Sequence, residues 1–513
     1  YEMLRSLVGS EMCIRDSVLT DMMNKIIHRG PDSAGQYIDD KAYMGFRRLS
    51  IIDLDNGSQP MFNENKKIVI TFNGEIYNYQ DLRKDLIEKG HIFANNSDTE
   101  VLIHAYEEYG EDMLNKLRGM FAFVIWDSEK QTLFGARDFF GIKPFYYTVV
   151  DGNIIYGSEI KSILAHPAYK KEVNDVALEN YLTFQYSVLP ETFFKGVYKL
   201  MPGHCFTFHN GEINIKRYWE PTFEADESKS LDEFVKEIDD AMHDSVEHHK
   251  ISDVEVGSFL SSGVDSSYVA ATFNGDKTFT VGFDYEKYNE IDYAKALSEK
   301  IQIDNYSKLV SSEEYWAAIP KIQYHMDEPL ADPAAIALYF VSQTASKHVK
   351  VALSGEGADE FFGGYNIYRE PHDLAGFQKL PLGLRKGLAA CAKHIPFKFK
   401  GKNFLIRASK PVEERFIGNA FMFNEEERSR VLKNPTGKYN HTELTKPFYD
   451  KVKDKDDVTK MQYIDINFWL IGDILLKADK MSMAHSLEVR VPFLDREVFD
   501  VARHIPTKYK VNA

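Results

Sequence analysis

A chain of 513 residues exceeds a single ordinary core, and the length prior of two to four domains is met here by an expected two. With 44% hydrophobic and 27% charged residues it reads as globular rather than disordered, and a formal charge of −16 opposes a broad nucleic-acid surface. Cys13, Cys205 and Cys391 lack CxxC spacing, which speaks against a zinc ribbon or a disulfide framework and fits a reducing cytoplasm, while no apolar run of about 18 residues marks a membrane span.

From Val18 to about Pro190, short apolar runs such as Ile68–Phe72 and Phe121–Trp126 alternate with turns and a few helical segments, which predicts a layered α+β domain over residues 18–210. A helix is expected from Asp98 or Thr99, either able to cap it, through Val101, Leu102, Ala105 and Tyr106 to Gly110. Residues 211–230 turn polar, ending in Glu224–Ser230, and are assigned to a linker. Leu231, Phe234, Val235, Ile238, Met242 and Val246 then recur at helical spacing, ahead of a strand over 255–260. Further on come a helix from about Ser267, a strand over 278–283, helices over 291–301 and 333–348, and a strand over 350–353. That alternation predicts a doubly wound parallel sheet for residues 231–513.

The string Ser261-Ser-Gly-Val-Asp-Ser-Ser267 falls between a predicted strand and a predicted helix. Ligands of open α/β sheets bind beyond the carboxyl ends of strands, and a small-residue turn there can surround a phosphate at a helix N-terminus. Read alone, the string is more often a capped helix start with no ligand. It matches, with Ser262 in place of a glycine, the Ser-Gly-Gly-X-Asp-Ser loop of the ATP pyrophosphatases, and it lacks the Gly-Lys-Ser ending of a Walker loop. A second string, Ser354-Gly-Glu-Gly-Ala-Asp-Glu-Phe-Phe-Gly-Gly-Tyr365, follows the next suitable strand. Its Glu356 and Asp359, three apart, can point the same way on a helical turn, and paired carboxylates beside phosphates suggest Mg²⁺. The alternative is a solvated acidic turn, which four glycines in ten residues disfavour.

In the first domain the informative strings are His28–Asp32, Arg47–Asp53, Asn73–Asn78, Ser97–Glu100, Arg137–Pro144 and Ser158–Lys161. Each is weak alone, and Asn73-Gly74 by itself reads as a hairpin turn between Ile68–Phe72 and Ile76–Tyr79. In this order, and followed by the ATP loop, they closely resemble the glutamine-dependent asparagine synthetases from about Val18 onward. The resemblance implies an N-terminal-nucleophile glutaminase domain, layered α/β/β/α, ahead of an ATP pyrophosphatase domain, with a passage for ammonia between them. It implies glutamine, aspartate and ATP as substrates, and it leaves a homodimer open. Carried over by position, Arg48 and Asp98 hold the carboxylate and amino group of glutamine, and Leu49, Ile51, Ile52 and Glu75 complete that pocket. Asn73 and Gly74 supply the oxyanion hole. Leu260, Val281, Ser354 and Gly355 contact adenosine, and Ser261, Ser262, Gly263, Asp265 and Ser266 form the phosphate loop. Asp265 and Asp359 are the Mg²⁺ ligands, and Glu356 stands beside the aspartyl-adenylate. Lys477–Met483 and Val489–Asp495 are expected as core helix and pocket wall.

The implied chemistry is coherent, because a carboxylate resists ammonia until its oxygen is made a leaving group, which adenylation achieves. The sequence also departs from the family. The family nucleophile is an N-terminal cysteine whose α-amino group acts as base, whereas residues 1–17 match nothing in the family, read as a foreign leader, and offer Cys13 only as a poor substitute. The family also continues past this end with a lysine that stabilises charge during adenylation, a role given to neither Lys477 nor Lys480. The expectation is therefore a chain in which both half-reactions are impaired. The main rival is a related amidotransferase acting on a different carboxylate.

Overall fold

The computed structural model describes residues 17–285, 289–395 and 401–511, so most of the proposed leader, with Cys13, lies outside the described residues. The first domain centres on a six-stranded antiparallel sheet in the order Glu212–Arg217, His204–His209, Thr132–Arg137, Gly119–Asp127, Ile68–Ile76 and Met61–Phe62. Its middle strands are largely apolar because both faces are covered. Phe121, Phe123 and Ile125 join the core beneath the helices Tyr79–Glu88 and Asp98–Tyr109, whereas Ala122, Val124 and Trp126 face a second core shared with Phe145, Tyr147 and Leu200. Each large apolar side chain buried in this way contributes on the order of 1.5–3 kcal/mol. A three-stranded sheet of Asn153–Gly157, Tyr146–Val150 and Tyr198–Lys199 lies on that second face, with the Ile160–Ile163 helix packed beyond it on Tyr146 and Ile155.

Three local expectations are corrected here. Residues 212–217, placed above in a linker, pair with His204–His209 along their whole length and form the sheet edge, so the connection starts later. The Asp98–Tyr109 helix is capped by Ser97, whose side chain accepts from the Glu100 N–H, which frees Asp98 for another partner. Asn73-Gly74 makes no turn, because the Ile68–Ile76 strand runs straight through it with Asn73 opposite Ala122 and Gly74 opposite Phe121.

The second domain is built on a five-stranded parallel sheet in the order Asp304–Val310, Lys277–Phe283, Val256–Phe259, Val351–Leu353 and Glu488–Arg490. The chain moves outward from the Val256–Phe259 strand in one direction, then returns to add strands on its other side. The point where the order reverses therefore lies between Val256–Phe259 and Val351–Leu353, where a crevice opens at the strand ends. The Leu231–His249 helix enters the domain through a capping box in which Ser230 and Glu233 satisfy each other's backbone N–H groups. The helix expected from Ser267 begins at Val264, directly after Gly263. No described helix is long and apolar enough to cross a membrane.

Candidate active sites

A cavity of about 800 Å³ opens beside the Ile68–Ile76 strand, and Arg48, Leu49, Ile51, Ile52, Asn73, Gly74, Glu75 and Asp98 all line it. Arg48 ends the Tyr43–Arg48 strand, and its Nη1 donates to the Leu54 carbonyl at 3.0 Å while Nη2 donates to those of Ile52 and Asp53 at 3.0 and 2.7 Å. These bonds wrap a loop around a guanidinium that still has N–H groups for a carboxylate. Gly74 sits at φ +147°, and a Cβ there would lie 2.0 Å from the Met120 carbonyl oxygen, so only glycine allows this close pairing. Beside it, the Asn73 Nδ2 is buried and has no hydrogen-bond partner among the described residues. An unsatisfied buried donor costs on the order of 1–3 kcal/mol. Here it faces a cavity, where a guest oxygen can accept from it.

Asp98 Oδ2 accepts from the Ile76 N–H at 3.0 Å, which ties the helix start to the end of the strand. Burial lifts its carboxyl to about 7, with the Ile76 bond opposing the rise. A glutamine ammonium bound there would favour the ionised form. Asp98→Asn is therefore expected to weaken glutamine binding about 30-fold, roughly 2 kcal/mol for a lost charge-assisted bond. In the unaltered protein the affinity should increase as pH rises through about 7, because only the carboxylate attracts the ammonium, and this step should vanish in the variant. Titration calorimetry across that range reads both effects, and equal affinities would remove Asp98 from the pocket.

At the crevice of the second domain, the Ser261–Ser266 loop is held by its own hydroxyls. The Ser266 Oγ accepts from the Ser261 N–H at 3.1 Å and lies 2.8 Å from the Ser261 Oγ, which in turn accepts from the Gly263 N–H at 3.1 Å. Ser262, the departure from the usual glycine, is exposed, so its side chain projects away without closing the loop. The Ser262 N–H donates to Glu290 Oε2 at 3.2 Å, an acidic neighbour that no motif had marked. Gly355 brings the two strings together, since a Cβ on it would lie 2.8 Å from the Ser266 nitrogen. Leu260 directly follows the Val256–Phe259 strand, Val281 lies on the strand paired with it, and the Thr280 hydroxyl donates to the Leu260 carbonyl at 2.8 Å.

Asp265 lies near enough to Asp359 to feel its charge. Burial, reinforced by the charge of Asp359, raises Asp265 to about 6, and burial raises Asp359 as well. Glu356 lies in the turn before the Ala358–Phe362 helix, so it and Asp359 do not share a helical face as expected. It is nevertheless within reach of both aspartates' charges, and burial raises it while Lys477 pulls it down. Lys477 is itself clamped between Asp332 and Asp473, at 2.7 Å from the latter. Lys477, expected in a core helix, takes one partner from its own helical stretch, Asp473 four residues earlier, and one, Asp332, that only the fold brings near.

Several of the first-domain strings prove to hold the two domains together. Arg29 pairs with Asp479 through two bonds of 2.7 and 2.9 Å and with Glu159 at 3.2 Å. Lys161 bridges Glu159 and Asp327, and Lys480 reaches the same Asp327 at 2.8 Å. Asp138 accepts from the backbone N–H groups of Phe140 through Lys143, shaping a loop whose Lys143 side chain bonds Glu488 at 3.1 Å. Arg490 touches both sites: its side chain faces Glu75 at 3.2 Å and Glu488 at 3.0 Å, and its carbonyl accepts from the Ser354 N–H at 2.8 Å. Burial raises Glu75, whereas Lys143 and Arg490 outweigh burial at Glu488 and keep it ionised.

Comparison with known proteins agrees with this division. Residues 6–219 match the family described as a glutamine amidotransferase domain, and residues 237–513 match the asparagine synthase family. The chain is 48% identical over 501 residues to asparagine synthetase [glutamine-hydrolyzing] 1 of Bacillus subtilis, covering 97% of this chain and 79% of the relative. It is 31% identical to asparagine synthetase [glutamine-hydrolyzing] 3 of the same organism, covering 96% and 78%. The amidase chyE of Penicillium rubens is 28% identical, covering 96% and 79%.

Proposed function

Because this chain belongs to the glutamine-hydrolysing asparagine synthetases, we propose that it amidates aspartate, spending ATP to activate the side-chain carboxylate and glutamine to supply the nitrogen. The observation that carries this reading is the convergence of the Ser261–Ser266 loop with the half-buried carboxylates Asp265, Asp359 and Glu356 at the reversal point of the parallel sheet. Loop N–H groups and hydroxyls suit phosphates, and a strand-end crevice suits a nucleotide.

In the first half-reaction a side-chain oxygen of aspartate attacks the α-phosphorus of ATP, the bond to the β-phosphate breaks, and pyrophosphate leaves. Ammonia then attacks the activated carbonyl, and AMP departs with the oxygen that came from aspartate. Glu356, half-buried and less acidic than an ordinary glutamate, would take a proton from the incoming nitrogen. Two aspartates that burial makes less acidic, one of them raised further by the charge of the other, fit a divalent cation, so Asp265 and Asp359 would hold magnesium. When bound, the ion offsets phosphate charge. In the first domain, the free Asn73 amide and the Gly74 N–H would stabilise the oxyanion formed as glutamine is hydrolysed. Ammonium is not nucleophilic, so a route from one site to the other must keep the nitrogen unprotonated.

The test is oxygen transfer. With aspartate labelled with heavy oxygen in its side-chain carboxylate, the label should appear in the phosphate of AMP. Unlabelled AMP would exclude adenylation of that carboxylate.

A further inference from the structure

Outside both sites, a group of donors gathers where the segment after the Tyr79–Glu88 helix folds back. The His91 N–H donates to the Leu86 carbonyl at 3.1 Å, which turns this segment toward the Asp98–Tyr109 helix. That helix presents His104 and Glu107, three residues apart and on one face. Glu107 Oε2 lies 2.8 Å from His104 Nδ1 and 3.7 Å from His91 Nδ1, and one donor atom from each of the three residues falls within 4.8 Å of the others. Nitrogen and oxygen ligands held tetrahedrally at about 2.0–2.1 Å from zinc are roughly 3.3 Å apart, a spacing that these two distances bracket.

The surroundings are those of a ligand set. Asn63 Nδ2 donates to Glu107 Oε1 at 2.7 Å, fixing the carboxylate so that its other oxygen faces the imidazoles, as outer hydrogen bonds do for metal-bound carboxylates. His104 is 1% exposed, and its Nε2 lies 3.9 Å from Glu100 Oε1, beyond hydrogen-bond reach and with no other partner among the described residues. His91 and Glu107 are partly open to solvent, which gives an ion a way in. Glu64, Glu100 and Glu108 add negative charge nearby, and Lys89 pairs with Glu108 at 3.5 Å.

We propose that His91, His104 and Glu107 bind a divalent transition-metal ion of the zinc class, which staples the segment after the first helix to the helix that begins at Asp98.

The experiment uses the full chain, stripped with a chelator and kept in saturating Mg²⁺ so that the carboxylates of the second domain are occupied. Zn²⁺ is titrated against a chromogenic competitor, and Co²⁺ is added separately to read its visible absorption. The expected result is one tight equivalent and a tetrahedral cobalt band. His91→Ala and Glu107→Gln, both at partly exposed positions, should each lower the affinity at least about 10–100-fold with circular dichroism unchanged. Equal affinity in the original protein and both variants, or no cobalt band, would overturn the proposal.

Discussion

Asp265→Asn is expected to reduce pyrophosphate release on the order of 10³-fold or more while leaving glutamine affinity unchanged. A metal-held phosphate contributes several kcal/mol of charge stabilisation in the transition state. The asparagine keeps the shape of Asp265 but removes the charge that would attract the cation. The fold should tolerate this change, because the native carboxylate is already unfavourable when ionised: burial and Asp359 raise it to about 6. The sign follows. A folded-state value above the unfolded one means that ionisation destabilises the fold as pH rises past the unfolded value, so losing the group relieves that cost. Thermal stability at neutral pH should be equal or slightly higher in the variant. Coupled detection of pyrophosphate, with calorimetry for glutamine, separates the two sites, and undiminished release would end the metal assignment.

Asn73→Ala is expected to lower glutamate release from glutamine about 10²–10³-fold, the usual cost of one oxyanion-hole donor. The Nδ2 of Asn73 has no protein partner among the described residues, so its removal breaks no internal bond and should leave the strand intact. Glutamine affinity should change little, since Arg48 and Asp98 are the residues proposed to hold the ends of that substrate and the amide would act on charge that develops later. AMP formation driven by added ammonium should be unaffected, because it bypasses the first domain. A fall in both activities together would mean that the substitution acts through the fold and not through the oxyanion.

How far these sites could be read from sequence depends on how local their chemistry is. The Ser261–Ser266 loop is contiguous, and its strand-turn-helix setting follows from hydrophobic periodicity, so its position was legible. Asn73-Gly74 misleads without the family resemblance, because Asn-Gly is a strong hairpin signal, and nothing local reveals that the Met120 backbone passes within 2.0 Å of where a Cβ would be. The cap of the Asp98–Tyr109 helix is Ser97 and neither Asp98 nor Thr99, and the Asp98 carboxylate is instead taken by the Ile76 N–H. Glu290 and Asp332 were missed for a different reason. Each partner lies far along the chain, as with Lys477 and Asp332, 145 residues apart. The same holds for Arg490, whose contacts with Glu75 and Ser354 exist only once two sheets are packed together. Asp473, four residues before Lys477, was open to a reading from helical spacing.

The claim on which the account rests, that this chain activates aspartate with ATP, is tested most directly by measuring AMP with aspartate, ATP, Mg²⁺ and ammonium, and again with aspartate omitted. Supplying ammonium makes the result independent of glutamine hydrolysis. The account predicts AMP, pyrophosphate and asparagine in equal amounts with aspartate and almost none without it. ADP and phosphate as the products, or AMP formed equally well in the absence of aspartate, would contradict it.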